Sequence, residues 1–180
     1  DAPCLRAPGP LMGFDITRVK AEWEGYETPL TPGRYPIEFD PIRRHCHMVE
    51  DQNPLFLEQG VCPPVMVDYF ASRGAWPPGE LDILGLIRKI PTPGDRLINM
   101  NHEFEWFRTV KVSDRLSVSH KVASVEVKPT KLDPLSVWIK TETRIVDERG
   151  EPVALRWNQI LIHRTPEQAK ADWMRPEAAA

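Results

Sequence analysis

The second half of the chain, from residue 81 onward, is built of segments in which apolar and polar residues alternate. Alternation with a period of two predicts β-strands that bury one face. Two segments with helical spacing precede them, and helices followed by consecutive strands predict an α+β domain with one antiparallel sheet. The predicted strands are LDILGLIRKI (81–90), RLINMNHEFEWF (96–107), RLSVSHKVASVEVK (115–128), LSVWIKTETRIV (135–146) and VALRWNQILIHR (153–164).

The same pattern predicts details of these strands. In segment 115–128 the apolar alternation changes register near Val122, so we expect a bulge or a strong bend there. Residues 147–150 form a hairpin turn signal, with Gly150 in the left-handed conformation. The edge strands are long, and their unpaired backbone groups favour pairing with another chain.

Segment 40–56, DPIRRHCHMVEDQNPLF, predicts a capped helix that ends in a polar turn. We expect Asp40 to be the N-cap and Pro41 the first helical residue. The helix should stop at residues 51–54, because the position before a proline disfavours helical geometry. Asp51 and Asn53 are therefore presented on the turn. The residues predicted to form the buried helical face are Ile42, His45, Cys46 and Val49.

The most hydrophobic helix of the chain follows the sequence GVCPP at residues 60–64. We expect it to begin near Pro63 or Pro64, to end at Gly74, and to be wrapped by the sheet. Just before it, the N–H groups of Val61 and Cys62 should be free, and a helix start favours a developing negative charge. The residues expected to be buried are Val65, Met66, Tyr69 and Phe70.

Composition excludes several classes of protein. A net charge of -3 and a pI near 6.0 predict no nucleic-acid surface. Three cysteines, Cys4, Cys46 and Cys62, have neither disulfide nor metal-site spacing, which favours a reducing cytoplasm and no metal. No apolar run approaches the roughly 20 residues of a membrane span.

The 19 prolines cluster at junctions and favour a division of the chain into three parts. We expect residues 1–34 to be an extended lead-in, residues 35–164 to be the folded domain, and residues 165–180 to be a tail. The lead-in should contain little helix, except near residues 15–24.

The residue types alone leave two interpretations of the polar turn open. Asp51 and Asn53 either cap the turn or form part of a polar site next to the helix start. His47 lies on the polar helix face and is the histidine that can approach such a site. The other histidines, His45, His102, His120 and His163, are interpreted as packing residues, with His102 on the same strand face as Phe104 and Trp106. Cys46 and Cys62 have no adjacent base and are poor candidate nucleophiles.

The segments DQNPLF (51–56), GVCPP (60–64) and EFEWFRTVKVSDRL (103–116) resemble the MaoC-like acyl dehydratases and (R)-specific enoyl-CoA hydratases, which have the hotdog fold. The resemblance covers about Tyr35 to His163. It implies a sheet of about five strands wrapped around a central helix and paired with a second hotdog. It also implies a coenzyme A thioester as substrate, with no metal or redox cofactor.

In that family the turn reads D-x-x-x-N-P-x-H, and its Asp and His activate the water that adds to the enoyl thioester. This chain departs from the pattern, because Phe56 occupies the histidine position and Asp51 lies closer to Asn53. Ser113 stands where glycine is usual, and the connection from Phe56 to Gly60 is short.

The resemblance is closest to the larger, motif-lacking subunit of heteromeric steroid-type hydratases. It implies that a partner hotdog supplies the catalytic Asp and His, while this chain binds the acyl and CoA groups. The implied substrate-binding residues are Asn53, Phe56, Gly60, Val61, Cys62, Met66 and Tyr69. Two alternatives remain: a self-sufficient homodimeric hydratase that uses Asp51 with His47 or His102, and a non-enzymatic acyl-CoA-binding hotdog.

Overall fold

A single antiparallel sheet with helices on one face forms the domain, and the computed structural model describes residues 14–72 and 82–173. The strands are β1 (Thr31–Pro32), β2 (Arg96–Trp106), β3 (Leu116–Val127), β4 (Val137–Asp147) and β5 (Pro152–His163). The helices are α1 (Ile16–Trp23), α2 (Phe39–Met48), α3 (Pro54–Leu57), α4 (Val67–Ala71), α5 (Ile83–Lys89) and α6 (Pro166–Trp173), with a 3₁₀ turn at Pro64–Met66 before α4. The sheet order is β1, β3, β4, β5, β2, so β2 lies at one edge.

The sheet has five strands, but one of the predicted strands is wrong. Residues 81–90 do not add a strand, because α5 occupies Ile83–Lys89. The Asp82 carboxylate caps this helix by accepting from Gly85 N–H at 2.6 Å. Leu86 and Ile87 are fully buried, and their adjacent burial suits a helix packed on a sheet rather than a strand. The fifth strand is instead the two-residue β1.

Two apolar clusters cover opposite ends of the inner face, which is the face of the sheet that carries the helices. In the first, α2, α4 and the 3₁₀ turn pack on the end of the sheet that includes Leu116 and Ile145. In the second, α1 and α5 pack on the other end, which includes Val125 and Ile139. The core is therefore divided between two short helical units, each on its own end of the sheet.

The predicted central helix is shorter and less buried than expected. It consists of the 3₁₀ turn and α4, and Ser72 follows as the C-cap. Met66 and Phe70 are buried as predicted, whereas Val65 and Tyr69 are 68% and 64% exposed, so their predicted burial is wrong. The predicted end at Gly74 lies outside the described residues.

Helix α2 begins two residues earlier than predicted, at Phe39, with Glu38 in the N-cap position. Asp40 is therefore not the cap. Its carboxylate pairs with Arg43 and Arg44 on the helix surface, and the hydrogen bond from Arg43 is the main reason that its pKa is lowered. On the predicted buried face, Ile42 and Cys46 are buried and His45 is half-buried, but Val49 is exposed because it lies past the end of the helix.

The predicted irregularities of the strands are confirmed. The pairing of β3 with β4 shifts register between Val122 and Ser124, at the predicted bulge. The hairpin between β4 and β5 closes with Gly150 at a φ of +79°. Two further register shifts, which the pattern did not predict, lie between Asn99 and Asn101 of β2 and between Ile145 and Val146 of β4.

The segment before residue 35 contacts the sheet at several points. Its β1 pairs with β3, and Thr28 Oγ1 accepts from His120 N–H at 2.9 Å. Gly33 N–H donates to Leu116 O at 2.8 Å, and a Cβ at Gly33 would come within 2.5 Å of Phe70 O. A glycine is therefore required where β1 passes between β3 and α4. The division of the chain at residues 34 and 164 stays a prediction. Within the described part of the chain, no helix has the length and apolarity needed to cross a membrane.

A buried ion pair fixes the loop between β3 and β4 to the end of β5. Asp133 accepts from Arg164 Nη2 at 2.6 Å and from Arg164 backbone N–H at 2.8 Å, and both residues are buried. Burial opposes ionisation of this carboxyl, but the hydrogen bonds from Arg164 prevail and lower the pKa of Asp133 to about 2. Ionisation of the Asp133 carboxyl therefore stabilises the folded state.

We expect Asp133→Asn to lower the free energy of unfolding by roughly 3–5 kcal/mol at neutral pH, because a buried guanidinium loses this counter-charge. Since the pKa of Asp133 in the folded state is about 2, the variant should lose this full amount of unfolding free energy above about pH 4. The loss should become smaller as the pH falls toward 2. Urea denaturation at a series of pH values measures this. The exposed Asp95→Asn is the control, with an expected change below about 0.5 kcal/mol. Equal effects of the two substitutions would contradict this role of Asp133.

Candidate functional site

The polar turn after α2 is held by its own side chains. The chain leaves the helix through Glu50, at a φ of +58°, and Asp51 N–H donates to Cys46 O at 2.9 Å. Asp51 Oδ1 accepts from Asn53 N–H at 2.9 Å, and Asn53 Oδ1 accepts from Leu55 N–H at 3.0 Å. Both side chains therefore satisfy backbone donors of the turn, which favours the capping interpretation of Asp51 and Asn53.

Phe56 lies in the one-turn helix α3 that Asn53 caps. Its N–H donates to Asn53 O at 3.1 Å, and its half-buried ring packs against the first apolar cluster. The side chain at this position therefore faces apolar neighbours. A phenyl ring has no titratable group, so the turn presents no proton-transfer group at residue 56.

The approach to the 3₁₀ turn does not have the free donors that the sequence predicted. Val61 N–H donates to Leu55 O at 2.9 Å, and Cys62 N–H donates to Val110 O at 2.8 Å. The expectation that these two groups are free is wrong, because α3 supplies the acceptor for Val61 and the segment before β3 supplies the acceptor for Cys62. Beyond the two prolines, Val65 N–H is the first amide of the turn without a helical acceptor among the described residues.

Gly60 lies in the same segment, where the chain passes close to Val112. It has a φ of +65°, and a Cβ on it would lie 3.2 Å from Val112 Cγ2. Its carbonyl oxygen accepts from Val112 N–H at 2.9 Å. Gly60 thus joins the polar turn to the helical segment by close packing, and no feature of its geometry marks a ligand contact.

Three surface clefts surround α4 and the 3₁₀ turn. Tyr69 lies between two of them, of about 450 Å³ and 360 Å³, and Met66 lines the larger one. Cys62 lines a third cleft of about 220 Å³, which reaches the end of β2. The structure thus brings Met66 and Tyr69 together at one cleft, whereas Asn53, Phe56 and Gly60 line none of the three clefts. The remaining residues of the largest cleft are Glu38, Asp40, Pro41, Arg44, His45 and Met48.

The cysteines are poor nucleophiles. Cys62 is buried, and burial raises the pKa of its thiol to about 12. Burial likewise raises the pKa of the Cys46 thiol, and the Asp51 carboxylate contributes to that rise. Both thiols are free and stay protonated at neutral pH, which agrees with the expectation from sequence.

The histidines do not converge on the polar turn. His47 is exposed on α2, and His102 lies on β2 with its ring 6.3 Å from that of Phe104. His120 is buried with Nδ1 3.0 Å from Thr143 Oγ1, and burial lowers its pKa to about 4. His163 Nδ1 lies 2.8 Å from Arg164 O. His120 and His163 are thus in packing environments, as expected, whereas His102 is exposed on β2.

A polar row across the inner face was missed by the sequence reasoning. His120 of β3 and Thr143 of β4 are direct partners, and Thr143 is paired with Arg156 of β5. Arg156 Nη2 donates to Thr143 Oγ1 at 3.2 Å, and the same guanidinium pairs with Asp68 of α4. The signal was present, because these polar residues occupy the apolar register of their strands. The row lies between the two apolar clusters and anchors α4 to the sheet.

Metal binding finds no support in the described parts of the chain, 14–72 and 82–173. Among those residues, no group of three or more His, Cys, Asp or Glu side chains is placed to hold a metal ion.

Comparisons with known proteins agree with this architecture. Residues 22–156 match the family model described as the FAS1-like dehydratase domain region. No curated protein matches the sequence at a significant level. Among solved structures, the chain is similar to the ChsH1-ChsH2 complex from Mycobacterium tuberculosis, with 20% identity, a TM-score of 0.67, and coverage of 84% of this chain and 95% of that one.

Two further structures show the same fold. A MaoC-like dehydratase from Rhodospirillum rubrum has 16% identity and a TM-score of 0.55, covering 79% of this chain and 94% of that one. The HadBC (3R)-hydroxyacyl-ACP dehydratase complex from Mycobacterium tuberculosis has 13% identity and a TM-score of 0.54, covering 77% and 96%. At these identities the likeness establishes the fold, which is the hotdog fold.

We expect Asn53→Ala to lower the free energy of unfolding by about 1 kcal/mol, because α3 loses its N-cap acceptor. Asn53→Asp keeps an acceptor oxygen and should stay within about 0.5 kcal/mol of wild type. Gln52→Ala, at the exposed neighbouring position, is the control, and chemical denaturation measures all three. If Asn53→Ala were as stable as wild type, capping would not be the function of this side chain.

Proposed function

Because the chain belongs to the family of the FAS1-like dehydratase domain region, we propose that it is one subunit of an enoyl-CoA hydratase. Such a hydro-lyase adds water to a trans-2-enoyl-CoA or removes it in the reverse direction. A partner hotdog supplies the catalytic Asp and His, and this chain supplies binding surface for the acyl and CoA groups. The proposed compartment is the cytoplasm.

The observation that carries this proposal is the polar turn. Phe56 stands where the MaoC-like pattern has its histidine, and its ring packs into the first apolar cluster. Asp51 and Asn53 are engaged by the backbone of the turn. General acid and base catalysis needs groups that can exchange protons with the substrate. Compared with the MaoC-like pattern, this chain therefore keeps the turn but lacks the Asp and His pair that transfers protons.

The proposed chemistry assigns different tasks to the two subunits. Water addition requires a base that takes a proton from water, attack of the hydroxide on C3 of the enoyl group, and protonation at C2. It also requires donors that stabilise the enolate oxygen of the thioester. The partner performs the proton transfers. No metal or redox cofactor is proposed, because acid, base and oxyanion donors suffice for this reaction.

The clefts around α4 support the proposed binding role. Met66 and Tyr69 line a cleft of about 450 Å³. A cleft of this volume is in the usual size range for small-molecule sites. We propose a bulky acyl group, such as a steroid side chain, by analogy with the heteromeric hydratases that the sequence resembles.

The first test uses the chain alone and the chain co-expressed with a hotdog protein that carries the intact Asp and His motif. We expect no hydration of trans-2-enoyl-CoA by this chain alone and turnover by the complex. Asp51→Asn should change the kcat of the complex by less than about threefold, because Asp51 caps a turn. Replacing the partner's catalytic His by Ala should abolish turnover. Loss of the conjugated thioester absorbance measures the rate.

The alternatives give different outcomes of the same assay. Turnover by this chain alone, abolished by Asp51→Asn, would identify a self-sufficient hydratase and overturn the proposal. Tight acyl-CoA binding without turnover under both conditions would identify a non-enzymatic binding protein. The exposed Asp95→Asn is the matched substitution.

A second test addresses the binding surface. Tyr69→Ala should weaken acyl-CoA binding by the complex roughly tenfold, which corresponds to about 1.4 kcal/mol. Tyr69 is largely exposed, so its truncation should leave the free energy of unfolding nearly unchanged. Leu132→Ala, at an exposed apolar position in the loop between β3 and β4, is the control. Equal affinities for the two variants would exclude Tyr69 from the binding site. Calorimetric titration with acyl-CoA measures the affinity.

A further inference from the structure

Strand β2 is the long edge strand of the sheet, and all eleven of its residues are exposed. It pairs on one side with β5, and among the described residues no strand pairs with its other side. An edge of this length is a template for another strand. The exposed apolar side chains on it are Leu97, Ile98, Met100, Phe104 and Trp106.

The register of β2 against β5 separates its side chains between the two faces of the sheet. Phe104 is opposite Arg156, which is buried on the inner face, so His102, Phe104 and Trp106 share the inner face. The Phe104 and Trp106 rings stack at 5.1 Å. Glu103 is opposite Trp157 and therefore points to the outer face. This edge presents aromatic rings on one face and acidic groups on the other.

The outer face of the edge carries two carboxylates in succession. Glu103 and Glu105 are two residues apart, opposite Trp157 and Leu155 of β5. Asn101 precedes them on the same face, and its Nδ2 donates to Glu103 Oε1 at 2.7 Å. No salt bridge involves either glutamate within the described residues.

These carboxylates oppose pairing of β2 with a second copy of itself in the registers centred on residues 102–105. In an antiparallel pair around a two-fold axis at residue 103, 104 or 105, a glutamate of one copy lies directly opposite a glutamate of the other. With the axis at residue 102, the two copies of Glu103 are diagonal neighbours. Directly opposite Cβ atoms lie roughly 5 Å apart, and like charges there destabilise the pair.

Other charged groups on the outer face are too distant to reverse this. Lys140, Glu142 and Arg144 of β4 are separated from β2 by the whole of β5. At two strand spacings, roughly 10 Å, their effect is comparable to that of screened surface charges. Arg96 lies at the far end of β2, seven residues before Glu103. The charge that a pairing strand meets near residues 103–105 is negative.

We propose that the edge of β2 binds a different hotdog chain, whose own edge strand carries lysine or arginine on the outer face opposite Glu103 and Glu105. This deepens and rests on the proposed function, since it describes the partner which that function requires. Cross-strand pairs of opposite charge stabilise a sheet, and the aromatic inner face supplies apolar contact. In pairs centred on residues 102–105, the carboxylates select the partner and disfavour a second copy of this chain.

The test replaces the unknown partner by a charge-reversed copy of this chain. Wild type and Glu103→Lys/Glu105→Lys are given different mass tags and mixed, and native mass spectrometry counts mixed and same-chain dimers. We expect the mixed dimer to associate about tenfold more tightly than either same-chain dimer, because each Glu–Glu or Lys–Lys pair becomes a Glu–Lys pair. Raising the salt from about 0.05 M to about 0.5 M should reduce this preference.

The control variant is Glu148→Lys/Glu151→Lys, which makes the same charge change at exposed positions of the β4–β5 hairpin. Mixed dimers of this control with wild type should show no preference. An equal preference in the control, or wild-type dimers as tight as mixed ones, would overturn the proposal.

A neutral variant covers the case in which the charge-reversed chain does not fold. Glu103→Gln/Glu105→Gln should strengthen self-association of the chain several-fold, because the repulsion is removed without added charge. Unchanged self-association would also overturn the proposal. Neither experiment uses substrate or the natural partner. If the chain shows the predicted charge-dependent pairing but supports no hydration with a partner, only the proposed function is contradicted. If it supports hydration but shows no charge-dependent pairing, only the charge selection is contradicted.

Discussion

The inner face of the sheet has to be covered along its whole length, and this requirement decides where the helices lie. A strand of eleven or twelve residues spans roughly 35–40 Å. The 3₁₀ turn and α4 together span only about 12–14 Å, so they cover one end of that face. Helix α5 and the N-terminal α1 cover the other end. The two-part core follows from the mismatch between long strands and a short central helix.

Between the two apolar clusters, polar contacts hold the helices to the sheet. Arg156 bonds Thr143 and pairs with Asp68 of α4, while His120 lies beside Thr143 with a pKa lowered by burial. Buried polar groups are tolerated where partners satisfy them, and such contacts favour one geometry over others. This row positions α4 and so sets the orientation of Tyr69, which lies one residue beyond Asp68. The proposed binding clefts thus depend on the ion pair beneath them.

The polar turn after α2 and the edge strand β2 are the two features on which the proposals about a partner depend. In the polar turn after α2, the Asp51 and Asn53 side chains bond the backbone of the turn, and the edge strand β2 pairs with β5 on one side and with no strand on its other side among residues 14–72 and 82–173. In the proposed heteromeric pairing, a partner strand lies along the open side of β2 and the partner carries out the proton transfers. The proposed function and the proposed charge selection are tested separately.

Local patterns in the sequence determined four long strands, the bulge at Val122 and the left-handed Gly150, because alternation and turn chemistry act between near neighbours. They also located the polar turn. Only the tertiary structure decided that Ile83–Lys89 form a helix, since the end of the sheet had to be covered. It also decided that the amides of Val61 and Cys62 are bonded, because their acceptors Leu55 and Val110 come from other segments. The spacing of a residue predicts which face of its helix or strand it occupies. Its hydrogen-bond or packing partner depends on which other segment lies against that face.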